Sequence, residues 1–257
     1  MLDVSGVEVR FGGVRALDGL TITVGEGEVV SLIGPNGAGK STAFNVITRI
    51  VRPQAGTVRF RGRDVLALPA HAVPGLGIGR TYQGLELFAS MTVGETLMVG
   101  HHAVDRCGLV AAALRVRRGA GVDRAARTSA REIAERLSMT ELWDVPVTTL
   151  PYGVQKRVDI GRALAGRPAL LLLDEPAAGL THHELDGLGA FILGLRADLA
   201  MSVLLVEHHM PLVMAISDRI NVLDSGRPLA TGTPAQIRED ARVIEAYLGV
   251  PAGGGRA

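Results

Sequence analysis

The sequence has one cysteine, Cys107, in 257 residues, so no internal disulfide is available to it. No basic-plus-apolar segment precedes a cleavage site at the N-terminus either, and the two absences together lead us to expect a reducing cytoplasm. With no His/Asn arrangement to activate it, Cys107 reads as a small hydrophobe rather than a nucleophile. Long apolar runs are missing although hydrophobic residues make up 47% of the chain. The stretch from Gly187 to Leu195, among the longer ones, stops at Arg196, well short of the roughly 18 residues that a membrane span needs. A basic excess is missing too: 27 Lys+Arg against 26 Asp+Glu leave a net charge of +1, which argues against a dedicated nucleic-acid binder. Aromatic residues are 4% and charged residues 21% of the total, a composition suited to an α/β protein whose central parallel strands are buried on both faces. Lysine is the scarcest cation, with only Lys40 and Lys156 among the 27.

What is present is enough for one large domain, or one domain with an inserted lobe, burying roughly 70 to 75% of its unfolded surface without a metal or disulfide. Val7, Val9 and Phe11 alternate with Glu8 and Arg10, and Leu20, Ile22 and Val24 alternate with threonines, which predicts an antiparallel β region at the N-terminus. From Glu28 to Ile33 the pattern turns continuously apolar, then gives way to a glycine-rich loop and a helix-compatible stretch from Lys40 to about Arg49. Two further buried strands are expected at Leu170 to Leu173 and Val203 to Val206, with a helix from Thr181 to Leu195 between them that opens on a Thr181/Glu184 capping box. Asp224-Ser225-Gly226 reads as a hairpin turn between Ile220 to Leu223 and Arg227 to Thr231. A last helix is expected after the N-cap Thr233, with Pro234 in its first position and Gln236 closing the capping box, and the tail from Gly249 is expected to fray.

Between about residues 85 and 165 strand signals vanish, and segments such as Val110 to Leu137 read as helices broken near Gly119 and Gly121. Arg115, Arg117, Arg118, Arg124 and Arg127 make this region basic, first as a solvated helix face and second as a contact for lipid headgroups or an acidic partner. The layout is therefore an α/β core over 1–84 and 166–248, a helical lobe over 85–165 and a flexible tail over 249–257.

The chemistry concentrates in two places. Gly34-Pro35-Asn36-Gly37-Ala38-Gly39-Lys40-Ser41 matches the phosphate-binding loop and lies between a buried strand and a helix, where such a loop must lie. Its glycines turn backbone N–H groups toward a polyphosphate, the following helix adds its positive end, Lys40 reaches the β and γ oxygens, and the Ser41 hydroxyl is placed to ligate Mg²⁺. At the other place, Leu170 to Glu175 is an apolar strand that ends in two carboxylates. Asp174 suits a Mg²⁺ ligand, direct or through water, and Glu175 suits a base that accepts a proton from the attacking water. The histidine pairs His101-His102, His182-His183 and His208-His209 are weak metal candidates, because neighbours on a helix point about 100° apart.

With these motifs in place, the chain resembles the ATP-binding subunits of ABC transporters over nearly its whole length, and the resemblance implies a P-loop NTPase (RecA-like) parallel-sheet core, an N-terminal antiparallel β subdomain and an inserted α-helical lobe. It carries residue roles over as well. Phe11 falls where the family stacks a ring on adenine, Gln83 at the Q-loop as a Mg²⁺ and water ligand, Ala178 to Thr181 at the D-loop, and His208 at the H-loop as a γ-phosphate bridge. Thr42 joins the phosphate-loop residues as a nucleotide contact. Leu150-Pro151-Tyr152-Gly153-Val154-Gln155 stands at the signature, so that Pro151, Tyr152, Gly153 and Gln155 face the nucleotide of a second subunit. Here the sequence departs from the family: Pro151 occupies a serine position and offers neither hydroxyl nor N–H.

Three stretches, Arg10 to Leu20, Gly79 to Gly100 and Leu204 to Pro234, together with Ala246 to Gly249, resemble the importer ATPases for branched-chain and other hydrophobic amino acids, a pattern shared with urea/amide importers and a lipopolysaccharide-export ATPase. The resemblance implies ATP and Mg²⁺ as cofactors, a second ATP-binding subunit, identical or paralogous, transmembrane permeases that seat on Gln83 to Met91 and the helical lobe, an extracytoplasmic solute-binding protein, and a place on the cytoplasmic face of the cell membrane. A soluble ATPase acting on DNA or ribosomes would need a long coiled-coil insertion or tandem ATPase units. A small-molecule kinase fits poorly with Glu175 directly after Asp174 and with a signature loop.

Overall fold

The computed structural model describes residues 1–85, 87–102 and 115–248. In chain order its elements are β1 (Leu2–Phe11), β2 (Val14–Val24), β3 (Val29–Ile33), α1 (Lys40–Ile47), β4 (Ala55–Phe60), β5 (Arg63–Asp64), β6 (Ile78–Arg80) and α2 (Val93–His102). There follow α3 (Arg115–Arg136), α4 (Tyr152–Leu164), β7 (Leu170–Asp174), α5 (His182–Leu199), β8 (Ser202–Val206) and α6 (Met210–Ile216). The chain closes on β9 (Arg219–Asp224), β10 (Arg227–Gly232), α7 (Pro234–Glu239) and α8 (Ala241–Leu248). Two compact units are built from them, one from residues 1–70 and 185–257, the other from residues 71–184.

In the first unit β1 pairs antiparallel with β2 and β4, and β4 with β5, giving the order β2-β1-β4-β5. The alternation read in the sequence sets which side is covered: Val7, Val9, Leu20, Ile22 and Val24 are buried, whereas Phe11, at the end of β1, is 52% exposed. Strand β4 was not anticipated, yet Val58 and Phe60 are buried between exposed Thr57 and Arg59, the same period of two. Strand β3 runs parallel to β8 and β9, and all its five residues are buried, as continuous Val/Leu/Ile runs require. Strands β9 and β10 form the expected hairpin, with Asp224 opposite Arg227. Ser225 and Gly226 turn it at φ values of 48° and 80°, and two positive angles match the right-handed twist of the flanking strands. Thr233 caps α7 through a complete capping box, as predicted.

In the second unit β6 runs parallel to β7, with Ile78 opposite Leu170 and Arg80 opposite Leu172. Helices α2, α3 and α4 pack together nearby in the chain fold of this unit. Contrary to expectation α3 is unbroken from Arg115 to Arg136, passing through Gly119 and Gly121. A helical glycine costs only about 1 kcal/mol relative to alanine, and the flanking Ala/Arg composition outweighs two of them. Arg124 and Arg127 are exposed on it. The side chains of Arg115, Arg117 and Arg118, and Cys107, His102, His182, His183 and the tail from 249, lie outside the described residues or side chains.

Helix α5 extends to Leu199, one turn beyond the predicted end. At its start Glu184 accepts from the Thr181 N–H at 2.9 Å and from the Thr181 hydroxyl at 2.8 Å.

Candidate functional site

The loop of the first unit is shaped by backbone that tolerates no side chain. A Cβ on Gly34 would lie 2.1 Å from the Leu223 carbonyl oxygen, and one on Gly39 would lie 2.4 Å from that of Ala16. Gly39 caps α1 in the left-handed region at φ 102°, with no side-chain cap and no acidic residue in the first turn. The positive end of the helix dipole at this terminus favours an anion. Lys40 is only 7% exposed, and its Nζ donates to the carbonyls of Gly34 at 2.7 Å and Pro35 at 2.9 Å, which folds the loop around its own ammonium. Asn36, Gly37 and Ser41 are exposed, Pro35 and Thr42 half-buried and Ala38 buried. The Ala38 N–H donates to the Pro35 carbonyl, and the Ala38 carbonyl accepts from Gly226 in the β9–β10 turn.

Two more contributions come from this unit. Directly after β8 comes Glu207, which is fully buried and whose Oε2 accepts from the N–H groups of His208 at 2.9 Å and His209 at 3.1 Å. That pins the backbone beside the predicted H-loop while the His208 side chain stays 58% exposed. His209 caps α6 instead, its ring nitrogen accepting from Leu212. Sequence reading missed Tyr247: this α8 residue lies beside the Gly34 backbone, and its partial burial pushes the hydroxyl pKa up to about 12, the Gly34 N–H pulling the other way. Its only sequence signal was the Ala246 to Gly249 stretch, which carried no role.

In the second unit every residue of β7 is buried, and the strand delivers Asp174 at 3% exposure. Burial pushes the Asp174 carboxyl above its ordinary range, with Arg80 opposing. Arg80 donates to Asp174 Oδ2 at 3.0 Å, and the Asp174 N–H donates to the Thr81 hydroxyl at 3.2 Å. Oδ1 is buried with no hydrogen-bond partner, an acceptor of the hard, oxygen-donor type that Mg²⁺ takes. Glu175 follows in the left-handed region at φ 48°. Gln83 Nε2 donates to Glu175 Oε2 at 2.8 Å, so the predicted Q-loop glutamine and the predicted base meet directly. The Lys156 ammonium lies 3.4 Å from the Glu175 carbonyl oxygen.

The signature region belongs to this unit too. Helix α4 starts at Tyr152, with Pro151 as its N-cap at φ −54° and no side-chain cap. Proline's fixed φ suits a helix entry, and the Pro151 carbonyl accepts from Val154 and Gln155. Pro151 and Tyr152 are exposed, and the Gln155 amide donates back to the Leu150 carbonyl at 2.8 Å. A Cβ on Gly179 of the D-loop would meet the Tyr152 ring at 2.8 Å, and one on Gly153 would meet Glu184 Oε1 at 2.3 Å, so this helix start and the D-loop are closely packed.

Comparisons with known proteins add to this geometry. The family model described as "ABC transporter" matches residues 17–178, and one described as "Branched-chain amino acid ATP-binding cassette transporter" matches residues 227–253. The chain is 44% identical over 249 residues to the high-affinity branched-chain amino acid transport ATP-binding protein BraF of Pseudomonas aeruginosa, covering 97% of this chain and 98% of that protein. It is 41% identical over the same shares to its counterpart LivG of Escherichia coli, and 33% identical over 96% of this chain and 97% of the other to the lipopolysaccharide export ATP-binding protein LptB of that organism. Among solved structures, the ADP conformation of MJ1267, an ATP-binding cassette of an ABC transporter, superposes with a TM-score of 0.84 at 30% identity, over 97% of this chain and 99% of that one.

Proposed function

The chain belongs to the ABC transporter family, and from that membership we propose that it is the ATP-hydrolysing subunit of an importer for branched-chain amino acids. The observation that carries this reading is the 44% identity, end to end, to a branched-chain amino acid transport ATPase, with the C-terminal match over residues 227–253 pointing the same way. No described helix is long and apolar enough to cross a membrane. Transport by this chain therefore needs transmembrane permease subunits, and we place it against their cytoplasmic side, paired with a second ATP-binding subunit and served by an extracytoplasmic binding protein.

The residues divide the work by their chemistry. Phe11 is exposed at a strand end and offers a face for the adenine ring, a stacking contact of about 1 to 3 kcal/mol for any base. The backbone from Gly34 to Gly39, the Lys40 ammonium and the N–H groups of Ser41 and Thr42 hold the β and γ phosphates. Ser41, Gln83 and Asp174 are the residues that would hold magnesium, which when bound supplies positive charge to the phosphates. Glu175 takes the proton of the attacking water, Gln83 orients that water and Glu175 together through the bond they share, and His208 bridges to the γ-phosphate. Pro151, Tyr152, Gly153 and Gln155 close the nucleotide site of the second subunit through the start of α4.

Reconstitution tests the reading. The protein, assembled in proteoliposomes with branched-chain amino acid permeases and their binding protein, should take up radiolabelled leucine, isoleucine or valine only with ATP on its own side. ATP hydrolysis with no uptake of any of the three, alongside uptake of another solute, would reassign the substrate; absence of hydrolysis would overturn the enzymatic reading itself.

A further inference from the structure

Asp174 is a buried carboxylate with a divided environment, and the division follows from strand pairing. Strands β6 and β7 are parallel with Arg80 opposite Leu172, which sets the Arg80 side chain beside the residue two further along β7. Its guanidinium reaches Asp174 Oδ2 at 3.0 Å, with the two side chains 8% and 3% exposed. The same guanidinium stacks 4.9 Å from the centre of the Tyr82 ring. Thr81, between them, accepts from the Asp174 N–H. Arg80 thus holds the carboxylate of Asp174 and Thr81 its backbone N–H, and the hold on the carboxylate is one-sided: Oδ2 has its donor, and buried Oδ1 has none.

We propose that Arg80 is the positioning residue of the metal-binding carboxylate, holding Asp174 through Oδ2 so that Oδ1 is presented to magnesium. This rests on the reading of Asp174 as a magnesium ligand. A carboxylate that ligates a metal is normally oriented by a partner on its other oxygen, and loss of such a partner typically costs about 10- to 100-fold in metal affinity or activity. Arginine suits the task because it stays charged and because its planar head can bond Asp174 at one edge while its face lies on Tyr82. Because Arg80 acts through Asp174, the effect of its loss should fall on magnesium affinity.

The test is the magnesium dependence of Arg80→Gln and Arg80→Lys. Arg80→Gln should raise the Mg²⁺ concentration for half-maximal hydrolysis by about tenfold or more, with Arg80→Lys recovering part of the loss. Fluorescent ATP-analogue binding in EDTA should stay unchanged. A second readout needs no turnover: the extra thermal stability that Mg²⁺ gives the ADP-bound protein should shrink in Arg80→Gln. In the background of Asp174→Asn the Arg80→Gln change should add nothing to the magnesium requirement, and this double variant also removes the unpaired buried charge that could prevent folding of the single one. An unchanged magnesium requirement in Arg80→Gln with an unchanged thermal increment overturns the proposal. So does tighter magnesium binding, which would make Arg80 a competitor of the metal. A normal magnesium requirement in Asp174→Asn alone would remove the premise, a failure distinct from that of Arg80.

Discussion

Lys40 and Glu175 show how much a single side chain depends on the backbone around it. The Lys40 ammonium is a compact charge enclosed by two carbonyls of its own loop, at 2.7 and 2.9 Å. A guanidinium is larger, planar and set farther out, so it cannot enter that enclosure. Lys40→Arg should therefore lower nucleotide affinity or turnover despite keeping the charge, measured by isothermal calorimetry and phosphate release; wild-type values in both would show that the loop does not use its lysine. Glu175 stands at φ 48°, a conformation uncommon outside glycine and asparagine, and Gln83 and Lys156 hold its side chain and carbonyl. An amide in its place keeps the shape and can still bond Gln83 but is not a base. Glu175→Gln should keep ATP binding and cut hydrolysis by roughly 10² to 10⁴, the usual worth of a positioned general base. Undiminished hydrolysis in the assembled transporter would remove Glu175 from the mechanism.

At the scale of elements, glycines decide how near helices come. A Cβ on Gly100 of α2 would lie 1.8 Å from the Arg162 carbonyl oxygen of α4, and that atom is backbone, so the helices must separate to admit it. Gly187 of α5 has nothing within 4 Å of the same added atom. Overpacking of the first kind costs about 1 to 3 kcal/mol or more, whereas alanine in an open helix site gains about 0.5 to 1 kcal/mol. Gly100→Ala should thus lower Tm by several degrees and Gly187→Ala should leave it unchanged or raise it slightly, both read by differential scanning calorimetry. Equal effects would mean that the close approach of α2 and α4 is not maintained in solution.

For the whole molecule the informative position is Pro151, because in the proposed function it faces a second copy or a paralogue. Within one chain Pro151→Ser exchanges two effects of similar size. The new hydroxyl caps α4 for about 1 kcal/mol, and the lost ring restores about 0.4 to 1 kcal/mol of chain entropy to the unfolded state. Thermal stability of the isolated subunit should accordingly change little. Across subunits the hydroxyl adds one charge-assisted hydrogen bond to a γ-phosphate, about 1.5 to 3 kcal/mol at most. ATP-dependent dimerisation, followed by analytical ultracentrifugation in the Glu175→Gln background, should tighten by roughly tenfold or more. In a homodimer both sites speed up; in a heterodimer only the site built on the partner's phosphate-binding loop does. No change in either assembly would leave the α4 backbone and dipole as the whole of the contact.

The sequence by itself determined those features that follow from short spacing and chain-local geometry. The phosphate-binding loop, the buried runs of β3, β7 and β8, the Ser225-Gly226 turn and the Thr233 capping box are each specified within about ten residues, where steric limits and hydrogen-bond patterns leave few alternatives. The pair Asp174-Glu175 was legible for the same reason, as the end of an apolar strand. Tertiary structure decided what depends on partners distant in the chain. Arg80 and Asp174 are 94 residues apart, and Gln83 and Glu175 92 apart, so no local pattern announced either bond. Tyr247 meets Gly34 across nearly the whole chain. The unbroken course of α3 depended on a balance between packing and intrinsic preferences of about 1 kcal/mol per residue, too small for sequence pattern alone to resolve. A motif names the groups that can do chemistry, but only the fold brings distant side chains within 3 Å, and it is that proximity which leaves one oxygen of Asp174 held and the other open.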